Sequence, residues 1–161
     1  MNADSAHTRN WEIAEIVFGV PFLIGIAFHI IFPFSIPQGT LRLALIPIGI
    51  VLIIIGIYLI VLARREFARY SQPTDPGQPT SRVITSGVFS ISRNPLYLGA
   101  VFIFLGIALT TNILWTLFTL LISILVCHYV LIIPEEKYLT AKFGKAYQDY
   151  TGIVHRWLGH K

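Results

Sequence analysis

Of the chain's 161 residues, 55% are hydrophobic and only 12% charged, more apolar side chain than a soluble domain of this size covers with its own surface. Composition therefore excludes a soluble domain carrying a single anchor and predicts an all-α polytopic membrane protein, residues 1–161 forming one domain. The net charge of +4 fits membrane topology, where basic residues collect on the cytoplasmic side, better than nucleic acid, and no nucleic-acid partner is expected.

In chain order, Met1 to Asn10 is polar, with acid and base mixed, and lacks the basic, short-hydrophobic, small-residue pattern of a signal peptide. Ile13 to Phe34 and Leu43 to Ala63 each supply the about 20 mainly apolar residues that a spanning helix needs. Residues 13–63 thus hold the first two spans. Pro95 to Thr110 is shorter, bounded by Asn94 and the polar turn Thr110-Thr111-Asn112. It is predicted as the first arm of a tight helical hairpin whose second arm, Ile113 to Ile133, is a further full span. Helices are the expected choice because backbone groups in lipid must bond within their own segment.

Gly19, Gly25, Gly49, Gly56, Gly99 and Gly106 allow close backbone approach, while Pro21 and Pro47 are sites for kinks. Cys127, the one cysteine, excludes an intrachain disulfide or a cysteine metal cluster. The histidines have no ligand spacing, so no metal is expected. His29 reads as an interfacial or packing residue, and His128, nearer the cytoplasmic end, is open to a cofactor contact. Trp11, Tyr58 and Trp157 fit interfacial anchoring.

Orientation follows from the cations. Arg64, Arg65, Arg69, Arg82 and Arg93 lie between the second and third spans, and Lys137, Lys142, Lys145, Arg156 and Lys161 follow the fourth. The opposite side has Arg42 alone, which places the middle loop and the tail in the cytoplasm. Four spans then put the N-terminus, with Arg9, inside as well.

Polar chemistry concentrates in two cytoplasmic stretches. The first, Arg82 to Gly99, has a turn at Ser86-Gly87, a cation at Arg93, and Pro95 where a helix's first turn tolerates a missing donor. The second starts at Pro134-Glu135-Glu136. Leu139, Phe143, Ala146 and Tyr150 then recur at helical spacing, predicting an amphipathic tail helix against the membrane face or the loop. The two glutamates read either as a solvated helix start that complements the dipole or as anions for a ligand. A ligand with a carboxylate, an ammonium, a flat base and a positive sulfur suits these parts: arginine or a helix N-terminus for the carboxylate, a glutamate for the ammonium, aromatic faces for the base or sulfonium. S-adenosyl-L-methionine is such a ligand.

The ordered pattern from about Ser81 to Trp157 resembles the isoprenylcysteine carboxyl methyltransferases. Their motifs run Leu-Val-Thr-Ser-Gly-x-Tyr/Phe, then Arg-His/Asn-Pro-x-Tyr-x-Gly, then Glu-Glu-x-x-Leu-x-x-x-Phe-Gly-x-x-Tyr-x-x-Tyr. The resemblance implies a membrane methyltransferase with S-adenosyl-L-methionine folded between the cytoplasmic loop and the last two helices, residues 81–157 being the cofactor-binding part. Carried over by position, cofactor contacts fall on Ser81, Arg82, Val83 and Ile84, largely through backbone, then on Phe89, Asn94, Pro95, Tyr97 and Glu135. Arg93 belongs to the motif, either supplying positive charge to the pocket or holding loop carbonyls.

Two departures stand out. Asn94 replaces a histidine common in the eukaryotic enzymes. Leu131 stands where the prenylcysteine enzymes carry an arginine that orients the substrate carboxylate, leaving either Arg64, Arg65 or Arg69 as substitutes or a substrate that is not a carboxylate. The expected acceptor is a lipophilic molecule drawn from the bilayer, with membrane lipids as surroundings; no catalytic residue is singled out and the oligomeric state stays open. Other readings remain: a phospholipid or thiol methyltransferase, a sterol-reductase-like enzyme binding a dinucleotide, and a membrane packing subunit in which the motifs are loop structure. No side chain stands out as a general base, which favours a carboxylate or thiolate acceptor over a protonated amine.

Overall fold

The computed structural model describes residues 14–72 and 80–161; Arg9, Trp11 and the polar stretch before them lie outside it. Among the described residues there are six α-helices and no β-strand: α1 (Ala14–Ile31), α2 (Thr40–Arg69), α3 (Pro95–Thr111), α4 (Trp115–Val126), α5 (Ile133–Phe143) and α6 (Lys145–Ile153). Three helical stretches are long and apolar enough to cross a bilayer: α1, α2, and the continuous run from Trp115 to Phe143. At 17 residues, α3 rises about 25 Å and sits at the lower limit of a spanning helix. The outward faces carry large apolar side chains such as Ile30, Leu43, Ile54 and Leu121, as lipid requires of a helix surface. The chain is an all-α integral membrane protein.

The sequence predicts α3 and α4 as the arms of a tight hairpin, and the turn between them is present. Asn112 closes α3 in a left-handed conformation, and its side-chain amide exchanges two hydrogen bonds with the Ile36 backbone, at 2.9 and 2.8 Å. The packing partners, however, are crossed: α3 lies mainly against α2, and α4 mainly against α1. Glycine spacing explains the first pairing. Gly49 and Gly56 on α2 face Gly106 and Gly99 on α3, each pair so close that a Cβ on Gly56 would lie 2.5 Å from the Gly99 carbonyl oxygen. Between α1 and α4, Gly25 fits against Thr116 and Thr119, whose hydroxyls bond to carbonyls of their own helix or its lead-in, leaving no buried donor open.

Arg42, the isolated cation at the far end, donates to the carbonyls of Leu109 (2.7 Å) and Thr110 (2.5 Å). It thereby satisfies orphan groups at the C-terminus of α3 and complements the negative end of that helix.

Two features set the geometry of the opposite end. At 30 residues, α2 is about 45 Å long, more than the hydrocarbon core is thick, so its last turns carry Glu66 and Phe67 beyond it. Between α4 and α5 the helix widens into a π-helical segment, Cys127–Ile132. Pro134 lies just beyond; it has no N–H to give and its ring crowds the carbonyl four residues back, and a wider turn accommodates both. The glutamates therefore sit in the interior of a continuous helix, not at a solvated helix start. The amphipathic tail is broken in two by Gly144, whose φ of +54° suits glycine.

Candidate active site

The site is assembled where the end of α2, the loop before α3, and the α5–α6 tail meet. Glu66 anchors the loop to α2. It accepts a hydrogen bond from Ser86 Oγ (2.7 Å), and Tyr70 Oη lies 3.1 Å from the same hydroxyl. Gly87 follows at φ +59°, pressed so closely on Glu66 that a Cβ there would meet its carboxylate at 2.8 Å. A short 3-10 turn, Gly87–Ser90, buries Val88 and Phe89 with Leu59 and Ala63 of α2 and Leu98 of α3. The tail closes the other side: Tyr147, Tyr150 and Val154 form a cluster with Val83, Leu139 and Phe143. Tyr150 Oη donates to the Phe89 carbonyl at 2.6 Å, fixing tail to loop. Burial pushes the phenol of Tyr147 up to about 12 and raises that of Tyr150 well above the ordinary value, so both remain neutral phenols at neutral pH.

These segments enclose a cleft that is open to solvent. It is lined by Phe67, Thr80, Arg82, Val83, Ile84, Phe89, Arg93, Asn94, Glu135, Glu136, Leu139, Tyr147 and Tyr150. Arg82 lies over the ring of Tyr70 at 4.4 Å.

The two glutamates face different surroundings. Glu135 receives one long hydrogen bond, from Tyr97 Oη at 3.4 Å. Glu136 is held by two guanidiniums. Arg93 Nη1 lies 3.0 Å from its Oε1, and Arg156 donates through Nε (2.9 Å) and Nη2 (2.6 Å) to its two oxygens. Arg156 Nη1 also meets His128 Nε2 at 3.2 Å. Those bonds to Glu136 raise the Arg156 guanidinium above its ordinary value. Two cations on one anion leave the cluster with a net positive charge. The Arg93 side chain is 8% exposed, and its buried Nε has no hydrogen-bond partner among the described residues.

Of the ten predicted contact residues, seven line the cleft: Arg82, Val83, Ile84, Phe89, Arg93, Asn94 and Glu135. The other three support it from behind. Ser81 is bonded through its backbone N–H and its hydroxyl to the buried Gln72. Pro95 is buried in the first turn of α3, and Tyr97 reaches Glu135. Asn94 lines the cleft, but its side-chain amide donates to the Arg156 carbonyl at 3.0 Å. Sequence reasoning missed Phe67, an aromatic at the end of an apolar helix with nothing to mark it, and Glu136 as the centre of a charge cluster. The helical spacing of Leu139 and Tyr150 was the available signal that the tail would face the loop.

Several expectations change. Leu131 is fully buried in a core cluster with Val17, Phe18 and Leu120, turned into the bundle. Arg64 and Arg65 are exposed, and Arg69 pairs at 3.8 Å with Glu66; none of the three lines the cleft. Trp157, read as an interfacial anchor, packs half-buried against two core clusters. Among the described residues no group of acidic, histidine or cysteine side chains is arranged to hold a metal.

Comparison with known proteins gives one family. The phospholipid methyltransferase family matches residues 45–146, from α2 through the first residues of α6. No curated protein and no solved structure matches the chain.

Proposed function

The chain belongs to the phospholipid methyltransferase family, and from that premise we propose that it transfers a methyl group from S-adenosyl-L-methionine to an aminophospholipid of the surrounding bilayer. The whole chain acts as a single domain, with residues 81–157 providing most of the cofactor site. The charge distribution argues for a cytoplasmic cleft and for both termini on that side.

The observation that carries this reading is the donor set of the cleft. A net-positive cluster with the unpartnered Arg93 Nε suits a carboxylate. Glu135, with one long hydrogen bond, suits an ammonium. Phe67, Phe89, Tyr147 and Tyr150 supply aromatic faces for a flat base. The cofactor, when bound, supplies an electrophilic methyl carbon on a positive sulfur. The chain's own residues bind, orient and exclude water. Ser86 and Glu66 fix the loop on one wall, Tyr150 fixes the tail on the other, and Leu139 and Ile84 keep the interior apolar. In-line methyl transfer depends chiefly on such alignment and desolvation. An ammonium headgroup first gives its proton to water at the open mouth of the cleft, so that the nitrogen lone pair can take the methyl group.

The family supports a lipid acceptor, and two structural observations favour an amine over a carboxylate. Leu131 is buried in the core, and none of Arg64, Arg65 and Arg69 lines the cleft, so the cations proposed to orient an acceptor carboxylate do not reach it. A prenylated cysteine carboxylate is the second reading, favoured by the motif order from Ser81 to Trp157.

One assay separates the two. Purified protein in vesicles containing an aminophospholipid, with or without a prenylated cysteine, is incubated with methyl-labelled S-adenosyl-L-methionine, and the lipid extract is treated with base. Base-stable label on the phospholipid headgroup is the expected result. Base-labile label released as methanol marks a methyl ester and replaces the amine reading with the carboxylate one. Label in neither product removes both.

A further inference from the structure

Residues 147–161 lie beyond the family match, yet they reach into the candidate site. After α6 the chain doubles back on itself. Val154 bridges to His160, His155 N donates to Gly159 O (2.8 Å), and Lys161 N donates to Ile153 O (2.9 Å). This strap docks on the loop ahead of α3 through three more hydrogen bonds. Gly159 N donates to Ile91 O (2.7 Å), Arg93 N to His155 O (3.2 Å), and Asn94 Nδ2 to Arg156 O (3.0 Å). Trp157 adds apolar contact with clusters on both sides of α3. The Arg156 backbone is thus held, and its guanidinium spans from His128 to both oxygens of Glu136.

We infer that the strap is a working part of the binding site and that Arg156 is a positioning residue for it. Arg156 takes both oxygens of Glu136 from one side, so Arg93 engages that carboxylate through Nη1 alone and keeps its Nε for a ligand. Without Arg156, Glu136 draws Arg93 into the two-pronged pairing that guanidinium and carboxylate prefer, and the cleft loses the Arg93 Nε as an open donor. Asn94 is the strap's anchor: its side chain is committed to Arg156 O rather than to a cofactor atom. The inference rests on the cofactor reading proposed above.

The test is calorimetric titration of S-adenosylhomocysteine into the full-length protein in detergent, alongside a thermal unfolding curve for each variant. Arg156→Gln is expected to weaken binding about tenfold, a typical coupling within one charge network, with the unfolding midpoint nearly unchanged because Glu136 keeps Arg93. Arg156→Lys, which restores the charge but not the two-pronged geometry, should recover part of the lost affinity. Asn94→Ala, which removes the bond holding the Arg156 backbone, should weaken binding in the same direction. Wild-type affinity in Arg156→Gln overturns the inference. So does equal loss of binding and stability in Arg156→Gln and Arg156→Lys, which would mark a purely structural strap. A wild-type protein that binds no S-adenosylhomocysteine overturns the cofactor reading itself, and the inference with it.

Discussion

Replacing Gly99 by leucine is expected to keep α3 from seating on α2 and to leave little folded protein. A Cβ at this position lies 2.7 Å from the Gly56 carbonyl oxygen and 2.7 Å from Ile60 Cγ1, and the first of these is backbone, which no rotamer change can move aside. Overpacking in a yielding core costs about 1–3 kcal/mol; here both sides are helix backbone, and more than about 3 kcal/mol is expected. Gly99→Ala should already be destabilising. The consequences reach the site, because α2 supplies Phe67 and Glu66 while α3 is preceded by Arg93 and Asn94. Gly19→Ala is the control. Nothing lies within 4 Å of its added Cβ, and alanine's higher helix propensity should make it neutral or stabilising by up to about 1 kcal/mol. Recovery of monodisperse protein and its unfolding midpoint in detergent measure all three. A Gly99→Leu protein as stable as the wild type would refute the close α2–α3 contact.

The second large effect belongs to Glu136. Its side chain is 16% exposed and it is the anion shared by Arg93 and Arg156. Glu136→Ala leaves two guanidiniums facing one another, one of them almost wholly buried, without a counter-charge. Breaking a buried pair by removing one partner costs about 3–5 kcal/mol, and a loss in that range is expected. Adding Arg156→Gln to Glu136→Ala should return part of the stability, since one stranded cation is removed; the two changes are then non-additive. Denaturant unfolding of the single and double variants reads this directly. A Glu136→Ala protein with wild-type stability would mean that the cluster holds nothing together.

How much of this was legible in the sequence depends on the length scale of the signal. The spans were legible, because lipid demands long apolar runs and little else. The glycines at positions 49, 56, 99 and 106 stood out as close-packing residues, yet their partner helix did not. Adjacency in sequence suggested an α3–α4 pairing, whereas matching the seven-residue intervals on α2 and α3 would have identified the helices that meet. The motif residues of the loop were legible through their order, and most of them do line the cleft. What composition and spacing hid was the direction of side chains. The π-helical segment before Pro134 resets the helix register, turning Leu131 into the core and setting both glutamates toward the cleft. Pro134 marks where the helix must adjust, but not which side chains the adjustment turns inward. Nor does sequence say that the amide of Asn94 is committed to a carbonyl 62 residues away; that bond exists only once the tail has folded back.

The central claim, that the cleft between α2, the loop before α3 and the α5–α6 tail binds S-adenosyl-L-methionine, is tested most directly by calorimetric titration with S-adenosylhomocysteine. Wild-type and Glu135→Ala proteins are compared in the same detergent. One-to-one binding by the wild type, weakened at least about tenfold in Glu135→Ala at an unchanged unfolding midpoint, is the predicted result. Absence of binding by folded wild-type protein, or equal affinity in the two, would contradict it.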